Sequence, residues 1–422
     1  MKAALCAVAA AIFPAFSAAQ NPVFARDVAP ILYQHCSACH REGEAAPFPL
    51  LSYADAKRRA AAISKIVQSR AMPPWLPEPG YGDFAGVNRL TDSEIRLIAD
   101  WAAAGAPFGH PADLPVQPHY TGGWQLGRPD LIVEASQTSP LAASGGEGEQ
   151  NFVFTPPVNQ PRCVRAFDVR AGDSRMVRHA TLRVQSGQRP GENGGPHSSA
   201  AFDPEHGRFL FWKPGIAPYS EPEGLAWILR PGDHLVLTML LRPAAEAGRI
   251  RPRIGLYFTD KPPTKFPVLL ELEHDRALKI PGARDFTVSD DFKLPLDAGV
   301  LAVYPEARAL GRLLEGYATL PGGTRKWLIR IPKWDETWGG VYRYREAVFL
   351  PKGTVISMRF HYDNSAGNVR NPNQPPKRIE AGDRPSGEVG HLWLQILPRA
   401  PGDHRRELQE AAAERRKERA SR

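Results

Sequence analysis

The sequence predicts a multidomain α + all-β chain, in which a small helical domain precedes two tandem antiparallel β-sandwiches. Three observations lead there. The 422 residues correspond to two to four domains at roughly 100–200 residues each. Helix caps and near-helical apolar spacing are confined to the N-terminal quarter. Beyond it, short alternating apolar runs are separated by Pro and Gly turns. The 37 Gly and 42 Pro together stay below the roughly 25–30% that marks low-complexity disorder. A chain this long also buries a core without disulfide staples. Composition therefore excludes a mini-protein, a collagen and a mostly disordered chain.

Lys2 precedes an apolar stretch over 3–16, and the small residues Ser17, Ala18 and Ala19 follow. Charge, apolar run and small residues in that order predict a secretory signal peptide over 1–19, cut before Gln20. The run is shorter than the roughly 20 residues a membrane span needs, and no later segment is apolar enough to cross. The mature protein is expected to be exported, in the periplasm where a cell has two membranes. Cys6 leaves with the signal, so Cys36, Cys39 and Cys163 remain.

An oxidising compartment favours disulfides, but three cysteines are an odd number and two lie only three apart. With the next residue they read Cys36-Ser37-Ala38-Cys39-His40, the C-x-x-C-H attachment pattern of c-type haem. Its spacing has a chemical reason. Two thiols add to the two haem vinyl groups, and the adjacent imidazole is held under the iron as proximal ligand. A thioredoxin-like redox pair is the other reading, and no βαβ pattern surrounds the motif to support it. Cys163 then reads as a small buried hydrophobe in a strand.

Ser52 caps a helix expected over about 53–71, which ends at Met72-Pro73-Pro74-Trp75. Two prolines forbid continuation and push Met72 toward an extended backbone. A thioether on a stiff segment suits a distal iron ligand, while a core methionine is the competing reading. Thr91-Asp92-Ser93-Glu94 is a capping box that opens a last helix through Ile95, Ile98 and Trp101, ended by Gly105 and Pro107. Helix, C-x-x-C-H, helix, Met loop and terminal helix together resemble the class I cytochrome c fold over 22–108.

Residues 109–125 read as a Pro/Gly linker in which His110 and His119 are solvated. The remainder is expected to form one sandwich over 126–275 and another over 276–400. Ile356, Met358, Phe360 and Tyr362 alternate along one strand face, as do Trp327, Ile329 and Ile331, and Leu392, Leu394 and Ile396.

Two stretches carry a second resemblance. One runs from Val303-Tyr304-Pro305-Glu306-Ala307-Arg308 to Leu314-Glu315-Gly316-Tyr317; the other is Arg178-His179-Ala180-Thr181-Leu182 with 235–240. Together they are similar to the ascorbate-dependent copper monooxygenases, whose type member hydroxylates peptidyl-glycine. The whole chain resembles a bacterial fusion of such a module to an N-terminal cytochrome c. That resemblance implies two sandwiches of eight to nine strands with one copper on each. Its ligand positions depart sharply from the family. The first site expects two adjacent histidines where this chain has Arg178 and His179, and a third at Leu240. The second expects His-x-His where Glu306 and Arg308 stand, and a methionine near Val389. His179 alone matches a copper ligand. Leucine and valine offer no lone pair, and guanidinium has no acceptor. Glu306 and Arg308, two apart on a strand, share a face and are expected to pair. A relocated copper site using His234, His361 or His391 with His179 or Glu306 is the competing reading.

The sequence thus favours an exported electron carrier with one covalent haem c and a degenerate copper-monooxygenase-like scaffold; copper itself is doubtful. The alternative is a copper monooxygenase fed with electrons by its own haem. A redox partner protein is implied but unnamed. No basic patch with interleaved aromatics points to nucleic acid. The tail over 401–422 carries a polar helix and a cationic end, read as frayed and able to touch an acidic surface.

Overall fold

A computed structural model describes residues 21–120, 123–141, 147–187, 202, 207–243, 248–273, 278–382, 387–399 and 403–421. The proposed signal peptide lies outside them. Four short helices form the N-terminal segment: α1 (Ala29–His35), α2 (Tyr53–Arg58), α3 (Ala60–Gln68) and α4 (Asp92–Ala103). The Ser52 hydroxyl caps α2 by accepting from the Asp55 amide. The Thr91–Glu94 capping box opens α4 with both of its hydrogen bonds made. The single helix expected over 53–71 is split at Arg59, whose ψ of 9° leaves the helical region.

Everything that follows is β until the last helix. One sheet pairs Leu131–Glu134, Arg253–Thr259, Arg162–Arg170 and Trp227–Leu229 in that order; a second pairs Gly148–Phe154, His234–Leu241, Val177–Gln185 and Phe211–Trp212. These two share one apolar core, which includes Phe154, Leu182, Trp227 and Leu237, and form a first β unit. A third sheet pairs Val268–Glu273, His391–Pro398, Ala298–Glu306 and Tyr342–Leu350; a fourth pairs Asp285–Lys293, Val355–Asp363, Gly311–Thr319 and Arg325–Ile331. They share a second core and form a second β unit. Every ladder within the four sheets is antiparallel.

The expected fold class, a class I cytochrome c domain followed by two tandem sandwiches, is corrected by this architecture. The chain is mostly β, 36% strand against 17% helix, and its strands are distributed over small four-stranded sheets. No class I cytochrome c helical domain is evident. The physical reason lies in the segment expected to carry the closing methionine loop. Residues 75–85 leave the helices and run along the second β unit as a strap. Phe84 is 2% exposed inside that unit's core, bridged to Tyr344, with Trp75 and Leu76 packed on the same cluster. The Glu78 amide donates to the Arg330 carbonyl (2.8 Å), Ala85 to Arg343 (2.8 Å), and Arg345 back to Asp83 (3.0 Å). Gly82 lies so close that a Cβ there would sit 2.8 Å from the Leu328 carbonyl oxygen. The helices keep only two small clusters of their own, around Phe24 and Trp101 and around Ile63 and Ile98.

Two other boundaries move. Val268–Glu273 pairs with His391–Pro398, so the second unit begins before Val268 rather than at 276. The C-terminal helix α5 (Asp403–Ser421) is not a free polar end. Leu408 and Ala412 are buried in the second core, and Arg415 pairs with Asp290.

Because Phe84 fills the second core, Phe84→Ala should cost about 3–5 kcal/mol of stability through the cavity left behind. Val116→Ala, at a side chain 94% exposed, should stay within about 0.5 kcal/mol. Urea unfolding followed by tryptophan fluorescence measures both.

Candidate functional site

Helix α1 delivers the C-x-x-C-H residues. Cys36 is its C-cap, and the chain takes one further turn in which the Cys39 amide (3.2 Å) and His40 amide (2.9 Å) donate to the Cys36 carbonyl. That turn gathers both sulfurs and the imidazole. Neither thiol is in a disulfide. Burial pushes the Cys36 thiol up to about 12 and the Cys39 thiol up to about 11, so both are uncharged.

The His40 ring packs on Phe48, centroids 4.8 Å apart, and Nδ1 lies 3.1 Å from the Phe48 carbonyl oxygen. A carbonyl only accepts, so Nδ1 carries the proton and donates. Nε2 keeps its lone pair, the arrangement by which a second group orients a ligating histidine. Burial holds the ring below its ordinary pKa, with Arg59 adding to the effect. Two free thiols and an imidazole with Nε2 free on one turn are the donors a c-type haem requires. Met72 is half-buried and outside the apolar clusters. The prolines after it lead directly to Trp75 in the strap.

Several contacts clamp this turn to the first β unit. The Tyr120 hydroxyl lies 2.6 Å from Ser37 Oγ, and Arg41 sits 3.7 Å over the Tyr120 ring. Arg41 and Glu44 form a buried ion pair at 2.8 Å, which Arg170 joins at 3.4 Å. A Cβ on Gly215 would lie 2.0 Å from Cys39 Sγ, and Gly215 has φ +77°, so glycine is required twice over. Nearby, Lys213 sends its Nζ to the carbonyls of Thr337 (2.7 Å) and Gly339 (3.0 Å) in the second unit. Burial pushes this amine down to about 7. The stretch expected as a loose linker is docked too: Gln117 donates to the Leu51 carbonyl and the Gln125 amide to Asp168.

His179 lies on Val177–Gln185 directly opposite Leu240, with Arg178 in the bulge before it. Arg178 pairs with Glu147. The His179 ring stacks on Phe211 at 5.5 Å. Burial, with the Lys213 and Arg178 charges, pushes its pKa down to about 4, against the opposing pull of Glu306. Burial would raise the Glu306 carboxyl, but His391, His179 and Arg308 hold it below its usual range; the Glu306–His391 contact is 3.7 Å. His361 bonds Thr287 and is 41% exposed, and His234 bonds Thr155. Val389 is buried, its carbonyl accepting from Tyr362. Among the described residues no three His, Cys, Asp or Glu side chains converge as a metal site.

Sequence reasoning missed Tyr120, Arg170, Lys213 and Gly215. Lys213-Pro214-Gly215 is legible as a turn, but nothing local says that it packs on Cys39.

His179 gives a pH signature. With a folded pKa of about 4 against 6.5 unfolded, the unfolded state takes up a proton first as pH falls. Stability therefore declines from pH 6.5 toward 4 and levels off below. His179→Phe should remove about 1–2 kcal/mol of that decline, allowing for partial exposure. Urea titrations of both proteins between pH 4 and 7 supply the difference.

No family model and no curated protein matches the chain. Among solved structures it is similar to recombinant N-glycanase F (PNGase F), at 9% identity and a TM-score of 0.26, over 64% of this chain and 95% of that one. It is also similar to an infectious bursal disease virus structure, Gx strain, at 12% identity and 0.15, over 65% and 78%. Likenesses at these scores carry no argument about fold or function.

Proposed function

We propose that the protein is an exported haem c electron carrier whose β units are a degenerate copper-monooxygenase-like scaffold that binds or positions a redox partner. The observation that carries this reading is the single turn bearing Cys36, Cys39 and His40, with uncrosslinked thiols and the imidazole Nε2 left open. A covalently attached haem supplies a one-electron iron couple. Cys36 and Cys39 would hold it through thioether bonds. His40 would ligate through Nε2, its ring fixed by the Phe48 carbonyl, and Met72 would be the distal ligand. The Arg41–Glu44–Arg170 cluster and Tyr120 keep this turn against the first β unit.

The copper reading fits the donor set poorly. Leu240 faces His179 across the ladder with no lone pair to give. Two cations, Lys213 and Arg178, already depress the His179 pKa and would repel a third. Among the described residues no helix is long and apolar enough to cross a membrane. Export rests on the proposed signal peptide, and contact with an acidic surface would involve the end of α5 beyond its docked face.

Two measurements test the reading. Protein matured with the haem-attachment machinery should keep its haem through denaturation and acid-acetone extraction, and Cys36→Ala with Cys39→Ala should lose it. A colourless product from the unaltered chain would sink the proposal. Separately, copper-loaded and desalted protein should hold well under one copper per chain. Arg178→His with Leu240→His should raise that figure. Retention of two coppers with oxidation of a peptide by reductant and oxygen would establish the monooxygenase instead.

A further inference from the structure

We infer that the strap over 75–85 is the positioning element for Met72, so that docking on the second β unit controls distal ligation of the haem; this rests on the reading of Met72 as a ligand. The argument starts from chain connectivity. Only Pro73 and Pro74 separate Met72 from Trp75, and fixed proline φ angles leave little slack between them. Trp75 is held edge-on to Tyr342 (5.5 Å, 83°) and against Phe84 (6.4 Å). The strap's far end is anchored by Phe84, stacked on Tyr344 at 5.0 Å and 28°. Between these ends, Glu78 pairs with Arg330, which also lies 5.2 Å over the Tyr81 ring, and Tyr81 packs on Trp327 at 4.9 Å. The second β unit therefore fixes where Met72 starts.

The proximal side is fixed elsewhere. His40, Cys36 and Cys39 belong to the turn clamped on the first β unit through Gly215, Arg170 and Tyr120. The two ligand-bearing segments are thus each tied to a different unit, and Lys213 spans the units through Thr337 and Gly339. Reach from Met72 to an iron held by His40 depends on both dockings at once. Trp75 and Phe84 act as positioning residues that touch neither iron nor haem.

The test uses the full haem-loaded chain. Met72→Ala should abolish the weak near-infrared sulfur-to-iron band and lower the potential. Trp75→Ala and Phe84→Ala should keep the covalent haem but cut that band by roughly half or more, and speed carboxymethylation of Met72 about tenfold. Phe84→Leu should restore most of the band. Where Phe84→Ala fails to fold, Arg330→Gln, which opens no core cavity, should move the same readouts in the same direction. An unchanged band in Met72→Ala would overturn the reading of Met72 itself. Loss of the band there, with unchanged band and Met72 reactivity in folded Trp75→Ala and Arg330→Gln, would overturn the inference and leave that reading standing.

Discussion

Burial of Phe84 and its strap in the second β unit is the constraint on which the arrangement of the chain depends. A phenyl ring from the helical segment fills a core otherwise made by strands some two hundred residues later in sequence. Backbone hydrogen bonds on both sides of it extend that unit with a segment from near the N-terminus. The helices consequently cannot move as a separate body while the strap is seated. What resembles a small autonomous electron carrier in sequence is, in the fold, a segment shared between helices and sheets.

The second tie is polar and obeys different physics. Arg41, Glu44 and Lys213 are all nearly buried, and a buried charge is tolerated only with partners. Each has them: Arg41 and Glu44 hold one another, and Lys213 has two carbonyls of the second unit. Removing one partner would strand the other in a dry setting, so these contacts fix geometry more than they add stability. They hold the Cys36–His40 turn to one unit while the strap holds residues near Met72 to the other.

Local chemistry was readable where a side chain acts on its own neighbourhood. The Ser52 cap, the Thr91–Glu94 box and the alternation of Ile356, Met358, Phe360 and Tyr362 all appear where local pattern places them. The grouping of Cys36, Cys39 and His40 is equally local, because one helical turn spans it. The strap was not readable, since Trp75 and Phe84 sit among Pro and Gly and have no period of their own; their partners Tyr342 and Tyr344 are far away in sequence. The same holds for α5. Its hydrophobic pattern is weak, and only the tertiary contact of Leu408, Ala412 and Arg415 gives it a docked face. The break at Arg59 and the early start of the second unit at Val268 likewise follow from packing rather than propensity.

Hydrogen exchange of the full chain, followed at peptide resolution, tests the strap most directly. The account predicts that the amides of Glu78, Ala85 and Arg345 exchange as slowly as the strands of the second β unit, because they open only when that unit opens. Exchange at Glu78 and Ala85 as fast as in the exposed stretch around Val116, with the unit's strands still protected, would contradict it.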